Sequence, residues 1–403
     1  MTSVPVVGEY ALLEVFVFLA LAELLVPLAE RARIPPVVAW ILLGIVLSNF
    51  AVGGVLNRLV GVPLFGTGTD VQLFADLSVI LLLFAAGLGS GVRSLREAGA
   101  AAVGAALAGD LAPFALVALV ASRFVPLDTA LLLGVAAAPT SAAVVASLRS
   151  SERVGETPAG RLLLNAAALD DVVALILLSV VLTIVGGHVD VLAVTGSVAE
   201  SAVAWLVLLV AAVVVIPRLL RLPALRATRG MPFLFLFVLV AIVVGLGFSA
   251  VIGAFIAGIA VAESLVAERT RELTEVLLVF FGALFFVVVG AEFDVHDLLV
   301  PTLVAASLGL AALAVVGKLA GVYGFARAKL REGVAARAVA VGMIPRGEIG
   351  LVVGAIGLSS GLFDQSELAA IVLTSLVTTI AGSWAFRAAV RRLPADASTG
   401  APS

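Results

Sequence analysis

Long apolar runs, separated by short polar joints, constrain this chain more than any other feature. A helix that crosses hydrocarbon needs about 20 mostly apolar residues. Thirteen segments approach that requirement, at roughly 10–28, 36–53, 71–91, 97–121, 127–148, 158–185, 190–216, 232–249, 250–265, 272–291, 299–325, 334–359 and 366–390. The eighth and ninth meet at a Gly/Ser joint, Gly245, Gly247 and Ser249, and theirs is the least defined boundary. The runs are too long for barrel strands and lack their alternation, so the expected fold is an all-α polytopic membrane protein of about 13 helices. Hydrophobic residues make up 62% of the 403 positions and charged residues 13%. That is about half the roughly 25% usual in a soluble domain, which excludes a soluble enzyme.

The remaining bulk features exclude further classes. A net charge of -3 lacks the basic excess of a nucleic-acid partner. The absence of cysteine rules out disulfides, thiolate metal sites and cysteine nucleophiles. Two histidines, His188 and His296, do not make a histidine-rich metal site, and no cofactor is expected. The first 30 residues carry no Lys or Arg, so no secretory signal peptide is expected. Residues 394–403 read as a short polar cytoplasmic tail with no room for a soluble domain.

Thirteen spans place the termini on opposite sides. With the N-terminus outside, the cytoplasmic segments hold twenty of the 24 basic residues, from Arg31 and Arg33 to Arg391 and Arg392. The outer segments hold Arg58 and Arg123 only. This asymmetry supports both the count and the orientation, with a cytoplasmic C-terminus in a plasma or inner membrane.

Charges inside spans then become the informative residues. Glu14, Glu23 and Asp76 lie toward span ends and read as interfacial groups reaching water. Asp110 sits mid-span without an evident partner, either a polar tether between helices or part of an ion path. Asp170 and Asp171 lie about twelve residues into their span, about 18 Å deep at 1.5 Å per residue. Adjacent helical residues point about 100° apart, so one can face a cavity and the other a neighbouring helix. Lys318 is the matching base: among 22 arginines and two lysines, the deep base in the eleventh span is a lysine. Arginine stays charged, whereas a buried lysine can give up its proton. An Asp–Lys ion pair is the evident pairing, with Lys318 snorkelling to the cytoplasmic end as the alternative.

Two spans are broken. The fifth reads Gly-Val-Ala-Ala-Ala-Pro-Thr-Ser over 134–141, and Pro139 removes a backbone donor beside the hydroxyls of Thr140 and Ser141. The twelfth reads Gly-Met-Ile-Pro-Arg-Gly-Glu over 342–348, with Arg346 and Glu348 flanking the break. Non-helical backbone at membrane depth must line a cavity or be buried in protein. The fifth and twelfth spans run in opposite directions, and each neighbours a span with a buried charge. Interrupted helices at corresponding places in inverted halves point to a secondary transporter's site. Glu348 suits a positive helix start, and Arg346 or Lys318 a negative helix end.

With these residues in place, the chain resembles the second cation:proton antiporter family, bacterial sodium/proton exchangers of NhaA-type fold. The resemblance rests on Ala-Glu-Leu-Leu (22–25) leading to Arg31 and Ile34-Pro35, Leu-Leu-Phe-Ala-Ala-Gly-Leu (82–88) and Pro-Thr-Ser (139–141). It continues through Leu-Asn-Ala-Ala-Ala-Leu-Asp-Asp-Val (164–172), Gly-Ala-Phe-Ile-Ala-Gly (253–258), Phe-Phe-Val-Val-Val-Gly (285–290) and Gly-Met-Ile-Pro-Arg-Gly-Glu-Ile-Gly-Leu (342–351). The resemblance implies two broken helices crossing at the midplane. Asp171 would be the carboxylate that binds Na⁺ or protons, and Asp170 its partner, paired with Lys318 in the ion-free state. Thr140 and Ser141 would line the crossing, with Arg346, Glu348 and Asn165 in support. It also implies a homodimer, with a core at about 97–185 and 299–390 and a dimerisation scaffold at about 10–91 and 190–291. Gly89 and Asp110 depart from the family pattern.

The implied activity is exchange of Na⁺ or Li⁺ for H⁺ across the bilayer, electrogenic in the manner of relatives with an Asp-Asp pair. Potassium/proton exchange or gated potassium efflux on the same fold is the nearest alternative. An intramembrane aspartyl protease fits poorly, since its two acids should face each other from different helices. A passive channel would conduct without proton counter-movement.

Overall fold

The computed structural model describes residues 10–32, 34–61, 65–66, 68–89, 92–141, 145, 157–186, 191–246 and 249–392. Arg33, Arg149, Arg153, His188 and Gly247, the fifth predicted span beyond Ser141 except Val145, and the 394–403 tail lie outside the described residues. The regular elements described are helical. They are α1 (Ala11–Ala32), α2 (Pro36–Leu47), α3 (Val52–Val60), α4 (Thr69–Gly89), α5 (Val92–Ala121), α6 (Leu127–Ala136), α7 (Pro158–Gly186) and α8 (Val191–Leu219). Then come α9 (Pro223–Ala227), α10 (Met231–Gly245), α11 (Ala250–Ala262), α12 (Ala267–Ala291), α13 (Pro301–Leu330), α14 (Gly333–Gly342), α15 (Glu348–Ser359) and α16 (Gln365–Val390). A short 3-10 turn, Val295–Leu299, leads into α13. Among the described residues, seven helices are long and apolar enough to cross a membrane, and α2 with α3 makes an eighth if their 45° bend is one span. Of the other five predicted spans, 190–216 lies on α8, and the remaining four, the broken fifth and twelfth among them, map onto shorter apolar helices.

Local chemistry sets the breaks. Pro36 and Pro301 open their helices at positions that need no backbone donor. The predicted 36–53 span instead ends at Leu47 and restarts at Val52. There Asn57 both donates to the Phe65 carbonyl (2.8 Å) and accepts from its N–H (3.0 Å), which ties α3 to the following loop. The eighth and ninth predicted spans are separate helices, α10 and α11, packed against each other. Asp364 caps α16 by accepting from Ser366 N (2.7 Å) and Glu367 N (3.3 Å).

Packing falls into two groups. One joins α2, α4, α11 and α12, and the other joins α5, α7, α13, α14 and α16. Within the first, a Cβ on Gly87 would overlap the carbonyl of Phe255, and one on Gly258 that of Phe84, so the two backbones meet directly. Glu14 departs from its expected interfacial place. It is 4% exposed and accepts from Gly66 N at 2.9 Å, because the loop after α3 folds over it.

Candidate ion site

The helix of the fifth span ends at Ala136, Ala137 and Ala138 turn, and Pro139 to Ser141 are non-helical. The twelfth is interrupted between Gly342 and Glu348. The two breaks touch: Ser141 N donates to the Pro345 carbonyl at 2.9 Å, and Thr140 Oγ1 to the Met343 carbonyl at 2.9 Å. Gly347 admits this contact, since a Cβ there would collide with Ser141. Each break thus supplies partners for the other's orphaned backbone.

Charges complete the accounting. Lys318 Nζ donates to Ala138 O at 2.8 Å, and Arg346 donates to the carbonyls of Ala138, of Pro139 at 2.9 Å and of Ala314 at 3.0 Å. Two cations therefore cap the negative end of α6, as its dipole favours. Asp170 Oδ2 accepts from Thr140 N at 2.5 Å, and Glu348 opens α15 and accepts from Ser141 Oγ at 2.9 Å. Thr379, on α16, donates to the Arg346 carbonyl.

Lys318 pairs with Asp170 Oδ1 at 2.7 Å, and equally with Asp110 Oδ1 at 2.7 Å. All three side chains are fully buried. The partner that sequence left open for Asp110 is this lysine, and snorkelling is excluded. Glycines flank Lys318 on α13 and explain the approach: a Cβ on Gly321 would overlap the Ala108 carbonyl, and one on Gly317 would press on Pro113. The two backbones come close enough for Asp110, between those contacts, to reach Nζ.

Asp171 faces elsewhere. It is buried, its Oδ1 has no hydrogen-bond partner, and it lines a cavity of about 440 Å³ together with Glu348. That volume has room for roughly a dozen waters. The other walls are apolar side chains of α2, α4, α7 and α12, such as Val37, Leu82, Ala168 and Phe286, plus Trp40, whose Nε1 also lacks a partner. The cavity follows α7 from Asp171 to Leu164 and reaches Gly89 at the end of α4. Asn165 lies on α7, half-buried, and makes no hydrogen bond to this cluster among the described residues. Thr379, Trp40 and the Asp110 link were not singled out by sequence. The only local sign of Thr379 is a polar Thr-Ser-x-x-Thr-Thr run in an otherwise apolar helix.

The sequence matches the transmembrane sodium/hydrogen exchanger family over residues 16–391. The chain belongs to that family. Among this exchanger's relatives is the "High-affinity Na(+)/H(+) antiporter NhaS3" of Synechocystis, 33% identical, with the match covering 78% of this chain and 70% of that protein. A "Na(+)/H(+) antiporter" of Enterococcus hirae is 28% identical over 88% of this chain and 91% of its own. The "Na(+)/H(+)-K(+) antiporter GerN" of Bacillus cereus is 27% identical over 88% and 89%. The solved structure of the sodium proton antiporter MjNhaP1 from Methanocaldococcus jannaschii superposes with a TM-score of 0.67, covering 96% of this chain and 99% of that one. At 17% identity that likeness establishes the fold of this exchanger: an all-α polytopic membrane protein.

Proposed function

We propose that this exchanger carries Na⁺ or Li⁺ one way and H⁺ the other by alternating access, with Asp171 as the carboxylate that takes either cargo. One observation carries the assignment to Asp171: a buried carboxylate oxygen without a partner, at a cavity of about 440 Å³, beside two broken helices. A hard cation prefers oxygen ligands, and Asp171 with water, and Glu348 at the same cavity, offers them. The buried cluster sets four carboxylates (Asp110, Asp170, Asp171, Glu348) against two bases (Lys318, Arg346), so it attracts mobile positive charge. Cation and proton compete for Asp171, while Asp170 holds the Thr140 N–H and Lys318.

The finer reading is a member of the second cation:proton antiporter family with 13 spans, inverted repeats and broken helices crossing at the midplane. Its core of about 97–185 and 299–390 moves against a scaffold of about 10–91 and 190–291 in a homodimer. The N-terminus lies outside and the C-terminus in the cytoplasm, so the Asp171 cavity, which runs to Gly89 at the end of α4 next to Arg93 and Arg96 of α5, faces inward. Release of two protons per Na⁺ would make exchange electrogenic. The relative named for K⁺ as well as Na⁺ keeps potassium exchange as the second reading.

The test is proton movement in proteoliposomes reported by a pH dye on adding Na⁺, Li⁺ or K⁺, with and without clamped voltage. Na⁺ and Li⁺ should release protons, and Asp171→Asn should not respond. Retained exchange in that variant would sink the assignment of Asp171. A response to K⁺ alone would select the second reading.

A further inference from the structure

A second cavity lies away from the ion site, where α9 meets the joint between α11 and α12. It measures about 500 Å³ and is lined by Arg221, Arg226 and Arg269 with Pro223, Leu265 and Val266 among others. No carboxylate lines it, and none of the three arginines makes an ion pair with an acid among the described residues. The nearby acid Glu268 is taken by Arg271 at 2.7 Å. Arg269 Nη2 donates to the Arg226 carbonyl at 3.1 Å, which ties α12 to α9, while its Nε is buried without a partner. Three like charges thus converge on one concavity that no carboxylate among the described residues lines. Arg221 and Arg226 are exposed and Arg269 is half-buried, so their guanidinium donors stand open to an anion that enters the concavity.

The chemistry of that anion follows from the lining. Guanidinium forks match tetrahedral oxyanions by paired, charge-assisted hydrogen bonds. Leu265 and neighbouring Leu222, 64% and 52% exposed, form an apolar rim beside the charges. The pocket lies at the helix ends where basic residues gather, the level at which a bilayer presents its headgroups. We propose that this pocket binds a phosphate-bearing anion, with Arg221, Arg226 and Arg269 on the phosphate oxygens. The apolar rim favours a phospholipid headgroup, and a free phosphate shares the same recognition.

The test compares thermal unfolding of the full chain in detergent with added phosphatidylglycerol, phosphatidylcholine or inorganic phosphate. Wild type is set beside Arg226→Gln and the triple variant Arg221→Gln/Arg226→Gln/Arg269→Gln. Phosphatidylglycerol should raise the unfolding temperature of wild type more than zwitterionic phosphatidylcholine does. Its apparent affinity should fall about tenfold for each arginine removed. A shift produced instead by inorganic phosphate, and lost with the same arginines, supports the pocket and assigns it to the free anion. Absence of any shift, or a shift that survives in the triple variant, overturns the proposal. If the triple variant does not fold, native mass spectrometry of phosphatidylglycerol retained by wild type and Arg226→Gln decides. Equal retention overturns the proposal.

Discussion

The two helix groups use the same small-residue device for opposite purposes. In the group of α2, α4, α11 and α12, glycines bring backbones together across apolar faces, and none of these helices carries a fully buried charge. In the group of α5, α7 and α13, glycines at 317 and 321 bring α13 onto α5, and what arrives is an ion pair. Lipid tails are as apolar as leucine, so the first group holds together mainly by shape, with polar bonds from Arg271 to the Leu88 carbonyl and from Gln72 to Glu292 at its ends. The second is held by a lysine with two carboxylates and a carbonyl as acceptors, and such a hub keeps a partner when one is withdrawn. The difference sets a group joined by close backbone packing beside one whose buried ion pairs can be redistributed between alternative acceptors.

The sharpest way to break this comparison is Lys318→Gln. It leaves Asp110 and Asp170 facing each other in the protein interior, at a cost of about 3–5 kcal/mol. Thermal unfolding in detergent should fall accordingly, and the pH profile and voltage response of exchange should change. Wild-type behaviour in both would remove Lys318 from the mechanism. Next, Gly258→Leu forces side-chain atoms against the Phe84 carbonyl and should cost about 1–3 kcal/mol. If α4 and α11 are joined by shape, the unfolding temperature drops while the surviving protein keeps its Na⁺ affinity. A changed affinity with unchanged stability would contradict that separation.

Asp110→Asn sharpens the other side. Lys318 keeps Asp170, so the loss is that of one charge-assisted bond, about 1.5–3 kcal/mol. If Asp110 serves only to hold the lysine, maximal exchange changes more than the Na⁺ concentration for half-maximal rate, and Asp110→Glu restores part of it. Equal behaviour to wild type would reduce Asp110 to packing. The smallest effect lies outside both groups. Asp364→Ala removes the α16 cap and should cost about 1 kcal/mol. The side-chain hydrogen bond with Glu367, then those from the Ser366 and Glu367 N–H groups, hold the Asp364 carboxyl below its ordinary range. Its contribution is therefore present above the ordinary carboxylate range and fades as pH falls through the lowered value. The difference in unfolding temperature between wild type and variant should shrink in acid.

Particular residues show what could be read early. Pro139, Pro345 and Gly347 announced the two breaks, because a missing donor and a missing Cβ act on their own backbone. Lys318 could be paired with the Asp170–Asp171 pair because a buried charge demands an opposite one, and the choice of Asp170 came from the family resemblance. Asp110 could not be assigned, since nothing near it in sequence says that Gly317 and Gly321 lie across from it. The bend after Leu47 is hidden from sequence for the same reason: the bonds that hold α3 run from Asn57 to Phe65, eight residues away. Glu14 has the sequence position of an interfacial residue, and only the fold places the Gly66 N–H over it.

Sequence alone determined that this chain lives in a bilayer, where most of its apolar segments lie and which few charges must be explained. Hydropathy and proline act within a single segment, so no neighbour is needed to read them. Only the tertiary structure decided that one lysine serves two carboxylates, that Asp170 turns to the break while Asp171 turns to the cavity, and that three arginines share one pocket. Each is a matter of which side chains meet, and that is set by how closely glycine lets distant backbones approach.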